Sequence, residues 1–364
     1  MRSENYLSLI TENLFATKMK VIVCGSGMIG KTIAGELAKK HTVTVADYQR
    51  QALAEIIQKW QLATIHTDLS DEDNVKKAVS DFDIIINAVP GNLGYNVLKW
   101  TIETGKNIAD ISFMPEDPLV LSKLAREKDV TAIVDCGVAP GLGNLIAGYH
   151  YRQMKLERFL CYVGGLPQMR EWPFEYKAGF SPIDVIEEYI RPARYMQNGT
   201  LTVKQALSSC EMLNFENIGS LEAFNTDGLR TLLRTLDIPD MVEKTLRYPG
   251  SPDYLKMLSH CGFFSTDPVE IDGKKIRPVD FTSSILFPVW KMKPGDKDLT
   301  VMRILLSGIE ENKIANYQYD MIDYYDPETQ TTSMARTTGY TCTAMAELLA
   351  DNKINQKGII PPEI

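Results

Sequence analysis

The sequence lacks the features of a membrane-spanning, disulfide-rich or zinc-dependent protein. No apolar run approaches the ~18 residues that a membrane-spanning helix needs. Six cysteines are scattered over 364 residues without a Cys-x-x-Cys pair, which is typical of free thiols in a reducing cytosol. The thiols therefore predict a cytoplasmic location. The four histidines are widely separated and form no cluster with cysteine, so we expect no bound metal.

Basic tracts are lacking as well. The net charge is −8 and the isoelectric point is near 5.2, so no positive patch is available for nucleic acid or an anionic membrane, and we expect neither as a partner. A small amine is compatible with this charge. With 44% apolar and 24% charged residues the chain is expected to be globular, and its length favours two domains.

The first 18 residues lack the basic start and the long apolar core of a secretory signal. We treat residues 1–18 as an N-terminal extension without an assigned role, and Met19 as the start of the fold proper. The predicted organisation is a dinucleotide-binding domain over residues 19–137 and a substrate and oligomerisation domain over residues 138–335. A C-terminal segment, residues 336–364, is expected to return to the first domain.

The rest of the chain is organised around residues 20–47. An apolar strand pattern runs into a glycine-rich turn and then into a helix with one apolar face. The first glycine permits a sharp turn, the second leaves room for a pyrophosphate, and the third allows close packing of the helix on the strand. Phosphates would then lie at the positive end of the helix dipole. The predicted phosphate-binding residues are Gly25, Ser26, Gly27, Met28, Ile29 and Gly30.

An acid ends the next predicted strand. Asp47 lies where a carboxylate accepts hydrogen bonds from both ribose hydroxyls of an adenosine and repels a 2′-phosphate, so the predicted cofactor is NAD rather than NADP. The glycine pattern alone is weak, and a glycine turn in an unrelated α/β domain is the alternative. The strand, helix and acid together favour a dinucleotide site.

Strand and helix patterns alternate regularly up to about residue 137. Six strands separated by helices predict a doubly wound parallel sheet, in which ligands bind beyond the carboxyl ends of the strands. Polar residues lie at several of these ends, and the backbone after the fourth strand is expected to approach the nicotinamide. The further cofactor residues predicted here are Asp68, Leu69, Asn87, Ala88 and Val89.

The pattern changes after residue 144. Strand-like stretches return with an Asp272-Gly273 hairpin turn, and helical patterns appear at 182–194, 227–236 and 252–260. These features predict an α+β second domain around a largely antiparallel sheet. A last helix is predicted over 340–349, with one apolar face suited to packing on the first domain.

A nicotinamide dehydrogenase needs groups that hold its substrate and a base for the departing proton. Asp110 is a candidate base because strand order puts it beside the cofactor, although a turn or helix-capping role is the alternative. Arg247 offers a donor fork for a carboxylate, and Tyr248 offers a phenol that donates or accepts. A structural ion pair and a core tyrosine are the alternatives for these two.

Four more residues are candidates from their sequence context. Glu222 is a polar group beside apolar anchors and is predicted, with Asp110 and Tyr248, to be catalytic. Asp227 and Arg230 are predicted to bind substrate, with helix capping as the alternative for Asp227. Tyr176 is predicted either to line the pocket or to pack in the core.

Six motifs in order resemble those of the saccharopine dehydrogenase superfamily, and within it those of the L-lysine 6-dehydrogenases. They are VDCGVAPGLGN (134–144), YVGGLP (162–167), LEAFNTDG (221–228), KTLRYPG (244–250), SMARTTGYT (333–341) and GIIPPE (358–363). The resemblance covers nearly the whole chain from Met19. It implies a Rossmann domain, a saccharopine-reductase-like second domain and a C-terminal segment that rejoins the first.

The resemblance also implies chemistry at a C–N bond of an amino acid, most closely oxidative deamination of the lysine ε-amine with NAD. By position it implies Arg247 as the anchor of the α-carboxylate, Asp110 and Glu222 as partners of an amine, and Gly141 near the nicotinamide. The stretch ADISF (109–113) departs from the glycine-rich version of the lysine enzymes.

Several alternatives stay open at this stage. A saccharopine dehydrogenase is the second enzymatic reading, because Arg191 and Arg194 suit a longer dicarboxylate. A non-catalytic NAD-sensing protein, like the domains that gate potassium transporters, explains only residues 20–47. An inactive relative is the third. We expect a homo-oligomer that acts on a small amino acid.

Overall fold

The computed structural model describes residues 18–293 and 295–364. These residues fall into two compact units, which are described separately. The first comprises residues 18–26, Gly30–Val134 and Cys342–Ile360, and the second comprises Gly27–Ile29, Asp135–Thr341 and Pro361–Ile364. Apart from Lys18, the N-terminal extension lies outside the described residues.

The first unit is built on a seven-stranded parallel sheet. Its strands are β1 (Lys20–Cys24), β2 (Thr42–Asp47), β3 (Ala63–His66), β4 (Ile84–Asn87), β5 (Asn107–Asp110), β6 (Thr131–Ile133) and β17 (Gly358–Ile360). The spatial order is β17-β6-β5-β4-β1-β2-β3. The prediction of a doubly wound parallel sheet is confirmed, and β17 extends it beyond the six predicted strands.

Helices connect these strands, and their sequences place apolar residues on one face and polar residues on the other. They are α1 (Met28–Leu37), α2 (Arg50–Trp60), α3 (Glu72–Val79), α4 (Gly91–Glu103) and α5 (Ser122–Glu127), with a 3₁₀ turn at Pro118–Leu121. Strand β4 is buried along its whole length, as expected for the middle of a sheet covered on both faces.

The second unit contains an eight-stranded sheet. Its strands are β7 (Lys155–Pro167), β8 (Ala193–Gln197), β9 (Thr200–Lys204), β10 (Glu211–Phe215), β11 (Gly219–Asn225), β12 (Asp240–Arg247), β15 (Asp298–Glu310) and β16 (Lys313–Tyr324). The main order is β10-β11-β12-β7-β15-β16, with β8 and β9 beside β12. The largely antiparallel sheet is confirmed, but β12 and β7 run parallel.

Helices and one hairpin complete this unit. The helices are α6 (Leu142–Tyr151), α7 (Pro182–Ile190), α8 (Leu232–Thr235), α9 (Ser251–His260), α10 (Pro278–Trp290) and α11 (Ser333–Ala350), and the hairpin pairs β13 (Val269–Ile271) with β14 (Lys274–Ile276). Helix α11 continues into the first unit. Asp272 and Gly273, between β13 and β14, both have positive φ, as the predicted hairpin turn requires.

Three predicted helix boundaries are wrong. The helix predicted over 182–194 ends at Ile190 and β8 begins at Ala193, because Arg191 precedes a proline and adopts an extended conformation. The helix predicted over 227–236 is reduced to α8, because Arg230 has φ of +47° and an αR helix cannot pass through that conformation. The helix predicted over 340–349 begins at Ser333 instead. Its first amides are held by the carboxylate of Asp298, which accepts hydrogen bonds from the backbone N–H groups of Ser333 at 2.7 Å and Met334 at 3.0 Å.

Among the described residues, no helix has the length and apolar character needed to cross a bilayer.

Candidate nucleotide and amino-acid sites

The glycine turn of the first unit follows β1 directly. Gly25 has φ of +110°, and a Cβ there would lie 2.4 Å from the carbonyl oxygen of Ala88. A Cβ on Gly30 would lie 2.1 Å from the carbonyl oxygen of Gly25. Both glycines are therefore required by close backbone approach.

Gly27 differs from the other two glycines of the turn. Apart from its chain neighbours, a Cβ at Gly27 would meet no atom of the described residues within 4 Å, so their packing does not require a glycine there. Open space before the first turn of α1 fits a diphosphate, which needs free backbone N–H groups and no side chain in the way. Met28 and Ile29 are the first two residues of α1.

Asp47 ends β2 and is buried. Its Oδ2 accepts hydrogen bonds from both the backbone N and the Oγ of Ser26, each at 2.7 Å, and its Oδ1 accepts one from the backbone N of Gln49 at 2.8 Å. A carboxylate has about four lone-pair sites, so Oδ1 retains capacity for a ribose hydroxyl. Ser26 and Asp47 are thus in direct contact, and the predicted role of Asp47 at the adenosine ribose stays a prediction.

A polar cluster lies at the carboxyl ends of β4 and β5. The Nδ2 of Asn87 donates to the Oδ2 of Asp110 at 2.6 Å and to the carbonyl of Gly94 at 3.0 Å. The Oδ1 of Asp110 accepts hydrogen bonds from the backbone N and the Oγ of Ser112 at 2.7 and 2.5 Å. Asn87 and Asp110 have no exposed surface, so their hydrogen bond links the carboxyl ends of β4 and β5 in the interior of the protein.

Sequence reasoning missed Gly94 and Ser112 in this cluster. A Cβ on Gly94 would lie 2.2 Å from the Oγ of Ser112, so the two residues fit only as a pair. Two features of the sequence could have identified these residues: a glycine inside a helix pattern, and the serine of ADISF. The buried Oδ1 of Asn87 has no hydrogen-bond partner among residues 18–293 and 295–364, a costly arrangement that a ligand or water donor would relieve.

The other predicted cofactor residues have ordinary contacts. Asp68 is exposed, and hydrogen bonds from the backbone and side chain of Ser70 lower the pKa of its carboxyl. Leu69 and Val89 are buried in the apolar core. The backbone N of Ala88 donates to the carbonyl of Cys24 at 2.8 Å, which places the Ala88 carbonyl against the glycine turn.

In the second unit Arg247 is buried within an aromatic cage. Its guanidinium lies 4.3 Å from the ring centre of Tyr176, and its Nη2 is 3.1 Å from the carboxylate of Glu188. The Nε donates to the hydroxyl of Tyr189 at 3.2 Å. Burial lowers the pKa of Arg247, but Tyr189, Tyr176 and Glu188 outweigh that effect and raise it, so the guanidinium stays charged.

Glu188 and Tyr189 were missed from the sequence, because only the fold brings α7 against β12. Burial raises the pKa of Glu188, against the opposing charge of Arg247. Burial also raises the pKa of Tyr176 well above its ordinary value. Arg247 and Tyr176, each predicted separately as a substrate-binding residue, thus lie in contact, and the carboxylate of Glu188 lies at the arginine.

Two more arginines of this unit bind acids. Arg194 forms a bidentate pair with Asp227, at 2.9 and 2.8 Å, and 43% of the Arg194 side chain is exposed. The Nε of Arg230 donates to the Oδ1 of Asp135 at 2.7 Å, with both side chains buried. The predicted residues Asp227 and Arg230 therefore belong to separate ion pairs.

The loop before α6 has a tight conformation. Gly141 has φ of +142°, and a Cβ there would lie 1.7 Å from the carbonyl oxygen of Gly137. The backbone N of Gly141 donates to the Oδ1 of Asn144 at 3.0 Å, and Asn144 donates to the carboxylate of Glu363 at 3.0 Å. The predicted substrate residue Gly141 thus lies in a loop fixed by the end of the chain.

The predicted catalytic residues Glu222 and Tyr248 both bind backbone groups. The Oε2 of Glu222 accepts a hydrogen bond from the backbone N of Gly250 at 2.8 Å. The hydroxyl of Tyr248 donates to the carbonyl of Pro167 at 2.8 Å, and burial raises the pKa of Tyr248. Glu222 is the strand neighbour of Arg247, which brings an acid and an arginine to adjacent positions.

No group of three or more histidine, cysteine or acidic side chains within residues 18–293 and 295–364 is arranged to hold a metal ion.

Comparisons with known proteins match both units. Residues 21–133 match a family model described as the saccharopine dehydrogenase NADP binding domain, and residues 137–364 match one described as the saccharopine dehydrogenase C-terminal domain. The first unit is therefore a nucleotide-binding domain of the Rossmann type. The chain belongs to the saccharopine dehydrogenase family.

Individual relatives are distant. The saccharopine dehydrogenase [NADP(+), L-glutamate-forming] of Schizosaccharomyces pombe is 23% identical, over 94% of this chain and 93% of that protein. The Saccharomyces cerevisiae enzyme of the same name is 27% identical over 70% of this chain and 61% of its own length. The alpha-aminoadipic semialdehyde synthase of Arabidopsis thaliana is 25% identical over 68% of this chain.

The chain matches only a quarter of the length of that plant synthase. Among solved structures, apo saccharopine dehydrogenase (L-Glu forming) from Saccharomyces cerevisiae is similar in fold, with a TM-score of 0.76 and 20% identity over 95% of this chain and 94% of that chain.

Proposed function

We propose that this protein is a nicotinamide-nucleotide-dependent dehydrogenase that oxidises a C–N bond of an amino acid. The observation that carries the proposal is the set of three arginine–acid pairs in the second unit, formed by Arg194, Arg230 and Arg247. An amino acid presents both a carboxylate and an amine, and such pairs offer one partner for each. The bound nucleotide accepts the hydride that leaves the carbon.

The cofactor we propose is NAD, on the strength of Asp47. No described cation lies within ion-pair distance of its carboxylate, and its Oδ1 keeps acceptor capacity for a ribose hydroxyl. The fungal relatives are named for NADP(+), so the acid is the feature to test. Asp47→Ser should weaken binding of NAD and strengthen binding of NADP, measured by fluorescence titration of the two reduced nucleotides. Tighter NADP binding by the unaltered chain would contradict the assignment.

A base is needed because an amine with an ordinary lysine pKa of about 10.4 is protonated at neutral pH, and its proton must leave before the hydride does. Glu222 is our first candidate, since its side chain is half-buried and, among the described residues, hydrogen bonding engages its Oε2 alone. Asp110 already accepts hydrogen bonds on both oxygens, which suits a residue that positions the strand ends. Tyr248 is the third candidate. Glu222→Gln should lower kcat by about 10²- to 10⁴-fold.

The substrate we would test first is saccharopine, with L-lysine second. The motifs alone favour lysine, but the relatives reported above are named for saccharopine or aminoadipic semialdehyde. The partly exposed Arg194 can also serve an additional carboxylate. Formation of reduced nucleotide with each amino acid decides between them. Turnover of lysine alone would favour deamination of the ε-amine, and turnover of neither would favour a nucleotide-sensing role.

We also propose a cytoplasmic homo-oligomer. Cys24, Cys136, Cys161 and Cys342 are buried and form no disulfide in the part of the chain that the structure describes, which suits a reducing compartment. Light scattering of the purified chain tests the oligomer, and a monomer at micromolar concentration would contradict it.

A further inference from the structure

A buried acid on β12 has no role in the function described so far. Glu243 lies on the same face of the strand as Thr245 and Arg247, since alternate residues of a strand share a face. Only 6% of Glu243 is exposed. Its neighbour on the parallel strand β7 is Cys161, so the carboxyl lies over the centre of the sheet.

The described residues place no cation beside Glu243. Within the described part of the chain, its carboxyl contacts the hydroxyl of Thr226 and the backbone N–H of Gly228, and no lysine, arginine or histidine lies within ion-pair distance. A buried carboxylate without a charged partner is strongly disfavoured, and such a group takes up a proton instead.

Two acids and a thiol face Glu243 beside the loop that hydrogen-bonds it. They are Glu188 on α7, Asp227 in the loop after β11 and the Cys161 thiol on β7. Burial is the largest cause of a raised pKa at the Glu243 carboxyl. The two acids also raise the pKa and the hydrogen bonds from the loop lower it, and together these effects bring it from 4.5 to about 8.

The loop over Glu243 shields it from solvent. A Cβ on Gly228 would lie 2.2 Å from the Oε2 of Glu243, so the loop backbone lies directly on the carboxyl. Thr226 is the residue whose hydroxyl reaches the carboxyl from this loop.

A chain of hydroxyl groups starts at this carboxyl. The Oγ of Thr226 is 2.7 Å from the Oε2 of Glu243 and 2.9 Å from the Oγ of Thr245. A hydroxyl both donates and accepts, so the hydrogen bonds of this chain of hydroxyl groups can point in either direction. With Glu243 protonated, each group donates toward Thr245, and with Glu243 ionised, each donates toward Glu243.

We propose that Glu243 rests as a neutral acid and exchanges its proton through Thr226 and Thr245, so that the three residues form a proton relay for the amine chemistry of the second unit. The role of the relay in catalysis rests on the proposed function, whereas its path rests on the chain of hydrogen bonds. The chain of hydroxyl groups ends at Thr245, two positions before Arg247 on the same face of β12.

The chemistry of C–N cleavage needs such a group. After hydride loss, water adds to the imine carbon and gives a carbinolamine. When its C–N bond breaks, the nitrogen gains one proton and the hydroxyl oxygen loses one as the C=O bond forms. A neutral acid supplies the first proton and recovers the second, so the relay ends each cycle unchanged.

The protonation state is tested without substrate. The infrared C=O stretch of a protonated carboxyl, taken as the difference between the unaltered chain and Glu243→Gln, should be present at pH 6 and lost as the pH rises through about 8. Absence of this band at pH 6 would overturn the inference, whatever any enzyme assay shows.

The path is tested with matched variants. Thr226→Val removes the hydroxyl at nearly constant volume, whereas Thr226→Ser keeps it. Glu243→Gln and Thr226→Val should lower kcat by about 10²- to 10⁴-fold, the range for a lost acid–base group, and should flatten the alkaline side of the pH profile. Thr226→Ser should retain the rate and the profile.

The two proposals fail in different ways. If the unaltered chain turns over an amino acid and Thr226→Val matches it in rate and pH profile, the relay is wrong and the proposed function stands. If the unaltered chain oxidises no amino acid, the proposed function fails, while the infrared band still decides whether Glu243 rests as a neutral acid. Equal melting temperatures of the Thr226 variants show that a loss of rate is not a loss of fold.

Discussion

Replacing Glu243 by glutamine should change how stability depends on pH. The folded protein binds a proton at this carboxyl up to about pH 8, whereas the unfolded chain releases it near the ordinary value of 4.5. Between these values the folded state holds more protons, so stability falls as pH rises. At about 1.4 kcal/mol per pH unit, the total loss is on the order of 5 kcal/mol. It is absent below about pH 4.5 and complete above about pH 8.

Glutamine cannot ionise and has nearly the same volume, so it removes this dependence while keeping the packing. The assay is urea unfolding of both proteins at pH 5, 6, 7 and 8.5, followed by circular dichroism. The free energy of unfolding of Glu243→Gln should rise relative to the unaltered chain by several kcal/mol across this series. Glu157→Gln, at an exposed position of β7, is the control and should leave the pH dependence unchanged. Parallel curves for Glu243→Gln and the unaltered chain would refute a neutral buried acid.

Three further predictions concern the first unit and the arginine pairs. Gly27→Ala should keep the melting temperature but weaken NAD binding in fluorescence titration. Gly25→Ala should lower both the melting temperature and the affinity for NAD, because its Cβ would meet the Ala88 carbonyl. Equal melting temperatures for the two variants would contradict the different roles of these glycines. Ser112→Ala should destabilise the chain by about 1–3 kcal/mol in urea unfolding, because Asp110 loses a buried hydrogen bond, and an unchanged midpoint would count against the cluster. Arg194→Lys should raise KM more than it lowers kcat, because lysine cannot form the bidentate pair; an equal fall in kcat would indicate a role in the reaction instead.

The sequence was most informative where a feature is local. The apolar residues of β1 and β4, and the spacing from the glycine turn to Asp47, predict the parallel sheet and the adenosine end of the site, because short-range spacing sets which residues meet there. Ser26 reaches Asp47 for the same reason, since both lie at carboxyl ends of adjacent strands.

The sequence was least informative where strands and helices far apart in the chain meet. The pairing of Arg247 with Glu188 requires α7 to pack on β12, and the parallel register of β12 with β7 sets the surroundings of Glu243. Arg230 was predicted to lie in a helix because its neighbours favour one. Its left-handed conformation is imposed by the fold, and no feature of the local sequence indicates it. Tertiary contacts outweigh propensity at these positions.

The ion pairs of the second unit bear on what kind of ligand it can bind. A buried pair such as Arg247–Glu188 loses the hydration of both charges, and its mutual attraction often does no more than offset that loss. A simple anion that took the arginine would leave Glu188 buried without a partner, at a cost that exceeds the gain. An amino acid brings a cation with its carboxylate, so both protein charges keep a partner when the internal pair separates. On this argument the same pair that weakens binding of plain carboxylates favours a zwitterion, which is why we look for the substrate among amino acids rather than among simple carboxylic acids.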